Sequence, residues 1–196
     1  MTNNKQNKIN TGPYNFIDKN IFGQSLIHLI NLSLPKNSII VEIGTGFGTT
    51  ACMIAQHCPN IEKLYTVDPY LPYSTSWTGD ETPFGEKEID NAKVVAKHNI
   101  KFSGFEKKIE LVELESDYAL SMFDDESIDL FFYDATRTTE IAYKDISKWY
   151  KKIKTNGVIS GHCWKFLQNG ILEFKNNIDS ESILSIHDDV WAWVKK

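Results

Sequence analysis

Apolar positions along this chain switch repeatedly between two periods. From Asp18 to Leu32, Ile21, Phe22, Leu26, Leu29 and Ile30 recur at helical spacing until Pro35 ends the pattern. Ser38 to Ile43 is then a short apolar run of strand type, and a helix is expected to follow Gly48. The alternation continues with a strand at Lys63–Val67, a helix at about Glu86–Phe102, a strand at Lys108–Leu114, a short helix from Asp117 and a strand at Ile128–Tyr133. Ala142, Ile146, Trp149, Tyr150 and Ile153 mark one face of a helix at about Thr139–Lys154, with Gly157 at the turn into a fifth strand. After a helix at about Lys165–Asn176 the pattern changes. Ile183–His187 and Val190–Val194 are separated only by Asp188 and Asp189, a spacing that suits a hairpin. Strand and helix in alternation predict an α/β fold with a mostly parallel sheet, closed by an antiparallel pair.

Two stretches fall outside this rhythm. Residues 1–15 hold almost nothing to bury and read as a disordered or lid-like arm, leaving 16–196 as a single domain. Between Tyr70 and Phe84 runs a long loop with Pro72, Pro83, Tyr73, Trp77 and Gly79, longer than most connections and of the kind that forms lids.

Composition narrows the classes of function. With 196 residues and ordinary apolar and charged fractions, the chain can bury one sizeable core. Its net charge of -5 and scattered lysines lack the concentrated positive stripe that phosphate backbones require, so small-molecule substrates are expected rather than nucleic acid. Cys52, Cys58 and Cys163 show neither zinc spacing nor a C-x-x-C pair, which suggests a reducing cytoplasm and no disulfide framework. No apolar run approaches membrane-spanning length, so no membrane association is expected.

The chemistry concentrates in Val41–Ala51, VEIGTGFGTTA. Gly44, Gly46 and Gly48 let the backbone leave a buried strand sharply and approach a ligand without an intervening side chain. Their spacing is G-x-G-x-G behind Glu42, whereas the dinucleotide fingerprint is G-x-G-x-x-G. Asp68 closes the next apolar run, where an acid can accept from ribose hydroxyls. In open α/β sheets ligands sit beyond the carboxyl ends of the strands, which selects Gly44 to Gly48, Asp68, Glu115, Ser116, Asp134 and His162.

With these residues the chain resembles class I S-adenosylmethionine-dependent methyltransferases, in particular a small-molecule O-methyltransferase-like branch. The resemblance runs through the glycine loop, the Asp68-Pro69-Tyr70 triplet, SIDLFFYDA (Ser127–Ala135), NGVISGHCW (Asn156–Trp164) and the closing DDVWAWVK. It implies a Rossmann-like three-layer sandwich with a seven-stranded sheet and S-adenosylmethionine as cofactor. By the same likeness Glu42, Gly44, Thr45, Gly46 and Gly48 would serve the methionine part, Asp68 the ribose, and Glu115 or Ser116 the adenine edge, with Asp134 beside the cofactor.

At the acceptor end the chain departs from the family. Where the related branch reads Asp-Gly-Asp-His-Ser-Tyr and Gly-His-Asp-Tyr, this sequence has DATRTT (Asp134–Thr139) and GHCW (Gly161–Trp164). Asp134 and His162 persist, while Arg137 and Cys163 take the places of a histidine and an aspartate. Magnesium wants oxygen ligands, and Asp134 with one imidazole is too few; zinc, manganese or iron could use the pair, but no complete ligand set is visible, so a metal site is not predicted. His162 is the expected general base, with Asp134 its catalytic partner. Arg137 would grip an anionic substrate group or pair with Asp134. Cys163 reads as a small buried apolar residue. Trp77, Tyr73 and Trp164 are candidate pocket walls, and Trp149 and Trp193 candidate core.

The expected activity is methyl transfer to a small molecule, at an oxygen. A cofactor-binding partner that has lost catalysis and a nicotinamide-dependent oxidoreductase are the rival readings. A second subunit could complete the pocket, so a homodimer stays open.

Overall fold

The computed structural model describes residues 21–71 and 86–196. The expected N-terminal arm and most of the expected lid, with Tyr73 and Trp77, lie outside the described residues.

Six helices and seven strands follow in the order α1 (Ile21–Ser33), β1 (Ser38–Ile43), α2 (Thr49–His57), β2 (Ile61–Val67), α3 (Glu86–Ser103), β3 (Ile109–Val112), α4 (Ser116–Ala119), β4 (Ile128–Tyr133), α5 (Thr139–Trp149), β5 (Ile153–Gly161), α6 (Trp164–Ile178), β6 (Ser185–His187) and β7 (Val190–Val194) among the described residues. They build one sheet in the order β3-β2-β1-β4-β5-β7-β6. Pairing is parallel from β3 to β5, and β7 runs antiparallel to both β5 and β6. The expected Rossmann-like α/β sandwich is therefore observed.

Strand periodicity explains the layers. In β4, Phe131 and Tyr133 face a core with Ala142, Ile146 and Trp149 of α5 and Leu167, Ile171 and Phe174 of α6. The alternate residues Leu130 and Phe132 face the opposite core, with Leu26 and Ile30 of α1 and Ala51, Cys52 and Ile54 of α2. Both faces are covered, which is why β4 reads as an unbroken apolar run rather than an alternating one. Trp149 and Trp193 are core residues as expected, and Trp164 is half-buried against the α5–α6 layer.

One boundary differs from its expectation. The helical periodicity extended through Ile153, yet α5 stops at Trp149, a 3₁₀ turn spans Tyr150–Lys152, and β5 already begins at Ile153. Ile153 keeps the apolar spacing because it pairs with Ile128 at the start of β4 and is buried there. Spacing alone cannot separate a last helical turn from a first buried strand residue.

The closing hairpin is tight. Asp188 (φ 50°) and Asp189 (φ 71°) both adopt left-handed backbone, the conformation of two-residue turns whose twist matches the strands they join. No helix among the described residues is long and apolar enough to cross a membrane.

Gly161, the last residue of β5, is where β7 presses hardest on the site's support. A Cβ there would collide with the Trp191 ring and sit 2.6 Å from the Tyr133 carbonyl oxygen. Gly161→Ala is expected to cost about 1–3 kcal/mol, the range for overpacking a close-packed interior. Urea unfolding measures it, and an unchanged midpoint would refute this account of the packing.

Candidate functional site

Backbone hydrogen bonding continues one residue beyond four parallel strands. Asp68 N–H donates to Val112 O at 3.0 Å, Gly44 N–H to Val67 O at 2.8 Å, Asp134 N–H to Ile43 O at 2.8 Å, and His162 N–H to Tyr133 O at 3.0 Å. These bonds set Asp68, Gly44, Asp134 and His162 side by side along the carboxyl edge of β2, β1, β4 and β5. Between β1 and β4 the strand order reverses, which is the switch point where such sheets open a ligand crevice.

The glycine turn packs directly on this edge. Gly44 has φ 101°, and a Cβ on it would collide with the carbonyl of Asp134, so both conformation and space exclude a side chain. Gly46 and Gly48 are also left-handed, and Gly48 precedes the first turn of α2. Asp68 pins the turn from the neighbouring strand. Its buried carboxylate accepts from Gly46 N–H at 3.1 Å and from Tyr70 N–H at 2.9 Å. Tyr70 donates its hydroxyl to Gly46 O at 2.9 Å, and Asn99 of α3 donates its amide to Phe47 O at 3.0 Å. Tyr70, Asn99 and Thr66 were not singled out from the sequence; the triplet containing Tyr70 was the nearest signal.

Beneath the turn lies a buried hydroxyl–carboxyl chain. Thr66 donates to Glu42 Oε2 at 2.5 Å and shares a 2.7 Å hydrogen bond with Thr45, while Glu42 Oε1 has no hydrogen-bond partner among the described residues. Full burial is the main reason that the Glu42 carboxyl is pushed up to about 8; the Thr66 bond opposes this, and the charges of Asp134 and Asp68 add to it. Glu42 is therefore protonated at neutral pH.

The adenine-edge candidates sit farther along the sheet. Glu115 is exposed and its carbonyl accepts from the Tyr118 and Ala119 amides, and Ser116 accepts from Trp149 Nε1 at 2.8 Å.

Farther along this edge His162 is held on several sides. Its Nδ1 lies 3.3 Å from Asp134 Oδ1 and 3.6 Å from Cys163 Sγ, and its Nε2 lies 3.7 Å from Asp189 Oδ2. Phe22 of α1 stacks on the imidazole with ring centroids 4.2 Å apart, and Trp191 Nε1 donates to the His162 carbonyl at 3.0 Å. Burial on its own would lower the imidazole pKa, but hydrogen bonds to Asp134 and Cys163, with their charges, outweigh it and push it up to about 10. Asp189 and Phe22 were missed at sequence level, because Asp189 carried only a turn signal and Phe22 only a helical one. Cys163, assigned no role there, is buried but touches His162.

Arg137 makes no ion pair with Asp134. Its guanidinium carbon lies 5.2 Å over the Phe166 ring, and its buried Nε and Nη1 atoms have no hydrogen-bond partner among the described residues.

A sequence profile described as a methyltransferase domain matches residues 41–162, from the glycine strand to the edge histidine. The chain belongs to the methyltransferase-domain family. No curated protein matches it. Its fold is shared with a putative caffeoyl-CoA O-methyltransferase from Staphylococcus aureus, at TM-score 0.63 and 16% identity over 91% of this chain and 84% of that one. The O-methyltransferase TomG of Streptomyces achromogenes, solved in complex with SAM, aligns at TM-score 0.60 and 15% identity over 89% and 80% of the two chains. An rRNA methylase from Streptococcus thermophilus does so at TM-score 0.60 and 14% identity, over 88% and 94%.

Glu42 gives this methyltransferase domain a pH signature. Its folded pKa, about 8, is raised above the ordinary carboxyl value of 4.5, so the folded state holds the proton more tightly. The associated stability is complete below about 4.5, declines as pH rises, and is gone above about 8, with a slope of at most about 1.4 kcal/mol per pH unit. Glu42→Gln, which stays neutral, is expected to flatten that slope and to gain on the parent at pH 8. Parallel urea titrations across this range read the difference, and identical slopes would contradict the burial account.

Proposed function

We propose that this methyltransferase domain binds S-adenosylmethionine at the carboxyl edge of β1 and β2 and transfers its methyl group to an oxygen of a small molecule held at the ends of β4 and β5. The observation that carries this reading is the direct packing of Gly44 on the Asp134 carbonyl, which joins the glycine turn to the Asp134–His162 cluster at the switch point. Donor and acceptor groups share one crevice, as in-line displacement requires.

The residues present fit that cofactor. Gly44, Thr45, Gly46 and Gly48 allow close approach, Asp68 can exchange its Gly46 and Tyr70 amides for ribose hydroxyls, and the unpartnered Glu42 Oε1 offers an acceptor beneath the turn. Glu115 and Ser116 lie beyond β3, where the adenine edge would rest. When bound, the cofactor supplies an electrophilic methyl on a sulfonium. This chain's residues supply position and exclude water.

Asp134 and His162 are the groups we assign to the acceptor. With both ring nitrogens turned to carboxylates, His162 offers no free lone pair to an incoming hydroxyl, so a base role needs one of those contacts broken. Arg137, with two unpartnered nitrogens beside Phe166, favours an acceptor that carries an anionic group. The charge of -5 supports a small molecule over the rRNA acceptor suggested by one structural relative.

Asp68→Ala is expected to weaken S-adenosylmethionine binding by about 1–3 kcal/mol, through loss of a buried acceptor. Calorimetry tests this, and unaltered affinity would remove Asp68 from the ribose site. A second expectation concerns protons: a cation brought near Glu42 favours its ionised form, so binding at pH 7 should release up to about one proton. Binding heats in two buffers of different ionisation enthalpy report the number. Glu42→Gln should abolish the release, and a release that survives this change would assign the proton elsewhere. Methylation assays with anionic hydroxy compounds against rRNA decide the acceptor class; labelling of rRNA alone would overturn the small-molecule reading.

A further inference from the structure

We infer that the β6 edge of the sheet docks against the β6 edge of a second copy of this chain, joining two seven-stranded sheets across a twofold axis at Ile186. The inference does not depend on the methyl-transfer reading; only its consequence for His162 does.

Strand pairing decides what the edge offers. Among the described residues β6 is the outermost strand and pairs with β7 alone. Opposite residues of an antiparallel pair alternate between hydrogen-bonded and non-hydrogen-bonded. The odd-numbered residues of β7 bond toward β5. Lys195, in phase with Trp191 and Trp193, donates its N–H to Gly157 O at 2.9 Å and accepts from Asn156 N–H at 3.0 Å. Val190 and Ala192 therefore bond to His187 and Ser185, and the Ile186 N–H and C=O point outward from the open edge. Antiparallel approach of a second β6 about Ile186 turns each amide toward the other's carbonyl and sets Ser185 opposite His187, so the strand is complementary to itself.

The side chains along this edge are unguarded. Exposed edge strands usually carry lysine, proline or inward-pointing charge against unwanted pairing. At the opposite edge, β3 is framed by Lys107, Lys108 and Glu113, and its Glu110 pairs with Lys63 at 3.0 Å. Between Ser182 and His187 there is no Asp, Glu, Lys, Arg or Pro. Ile183 is instead 87% exposed and Ile186 41%, and Ile178 and Val194 are exposed as well. Ser182 ties these pieces together, since its hydroxyl lies 2.5 Å from Asp179 Oδ1 and 2.8 Å from Val194 O. The acids of the following turn are engaged by the body of the protein. Asp188 accepts from Ser25 Oγ at 2.6 Å, and Asp189 accepts from Lys165 N–H at 3.1 Å. In a chain of net charge -5, an edge without charged side chains lets two copies meet without like charges in contact and buries isoleucines from both.

The contact reaches the acceptor end. β6 leads directly into the Asp188-Asp189 turn, whose Asp189 Oδ2 lies 3.7 Å from His162 Nε2. Pairing β6 on both sides steadies that carboxylate against the imidazole, which couples association to the strand-end cluster.

Sedimentation velocity on the full chain, from micromolar to submillimolar concentration, is expected to show a species of twice the 22.4 kDa chain mass. Ile186→Lys, which brings two lysines together at the axis, should weaken the dimer by about tenfold or more, and Ile183→Lys should weaken it as well. Leu32→Lys, at an exposed α1 position, should leave it intact. Circular dichroism checks that each variant is folded. Hydrogen exchange on the parent needs no variant: the peptide spanning Ser185–His187 should exchange more slowly in the dimer than in the dilute monomer. A monomer at every concentration, a dimer that folded Ile186→Lys retains, or loss of the dimer in folded Leu32→Lys would each overturn the proposal. So would slow exchange of Ser185–His187 in the monomer, the mark of an edge covered by the chain's own residues. Neither measurement uses S-adenosylmethionine or an acceptor, so failure here leaves the donor reading standing.

Discussion

The structure depends on the backbone ladder that runs past the ends of β2, β1, β4 and β5. Four amide-to-carbonyl bonds, each made by the first residue after a strand, bring Asp68, Gly44, Asp134 and His162 into one row. These residues are far apart in sequence. The sheet does that work through strands buried on both faces, whose alternate side chains are fixed in two separate cores. Precision at the edge is thus a consequence of close packing beneath it. The close approach of Gly44 to the Asp134 carbonyl is the tightest expression of this, because a methyl group on Gly44 would both strain its backbone and collide with the end of β4.

Acids dominate both ends of the crevice, but burial gives them different states. Glu42 has one oxygen satisfied by Thr66 and the other unpartnered, and with no cation in contact it keeps its proton. Asp68 is buried as well, and its oxygens accept from two backbone amides. Asp134 and Asp189 flank an imidazole instead. The site therefore combines a neutral acid under the glycine turn with an ion-paired cluster beyond it. A cationic ligand suits the first environment.

Much of this was legible in the sequence wherever one physical signal dominated. The runs Ser38–Ile43 and Ile128–Tyr133 are bounded in the structure as read, since continuous apolar stretches with turn residues after them admit few alternatives. The Asp188-Asp189 turn followed from its two-residue spacing. Ile153 misled because a residue after a helix and a residue opening a buried strand can occupy the same apolar phase. Asp134 was read as the partner of His162, but Phe22 and Asp189 were invisible for another reason. They come from α1 and the β6–β7 turn, and only the packing of the sheet brings them to the imidazole. Local spacing finds what lies at a strand end, whereas a constellation needs the third dimension.

That division bears on how such a fold acquires new acceptors. The donor side is built from contiguous pieces, the β1–α2 turn and the end of β2, and is locked by contacts that leave little room for change. The proposed acceptor side draws on α1, the β4 and β5 ends and the β6–β7 turn, separate from the glycine turn in the chain. Arg137 and Cys163 are positions of this kind, one over Phe166 and the other against His162. Their charge and chemistry can change over an unchanged ladder, since function lies in the site a fold carries rather than in the fold. In this chain Cys163 meets the His162 imidazole while Arg137 lies over Phe166, so the two residues shape different parts of the strand-end cluster.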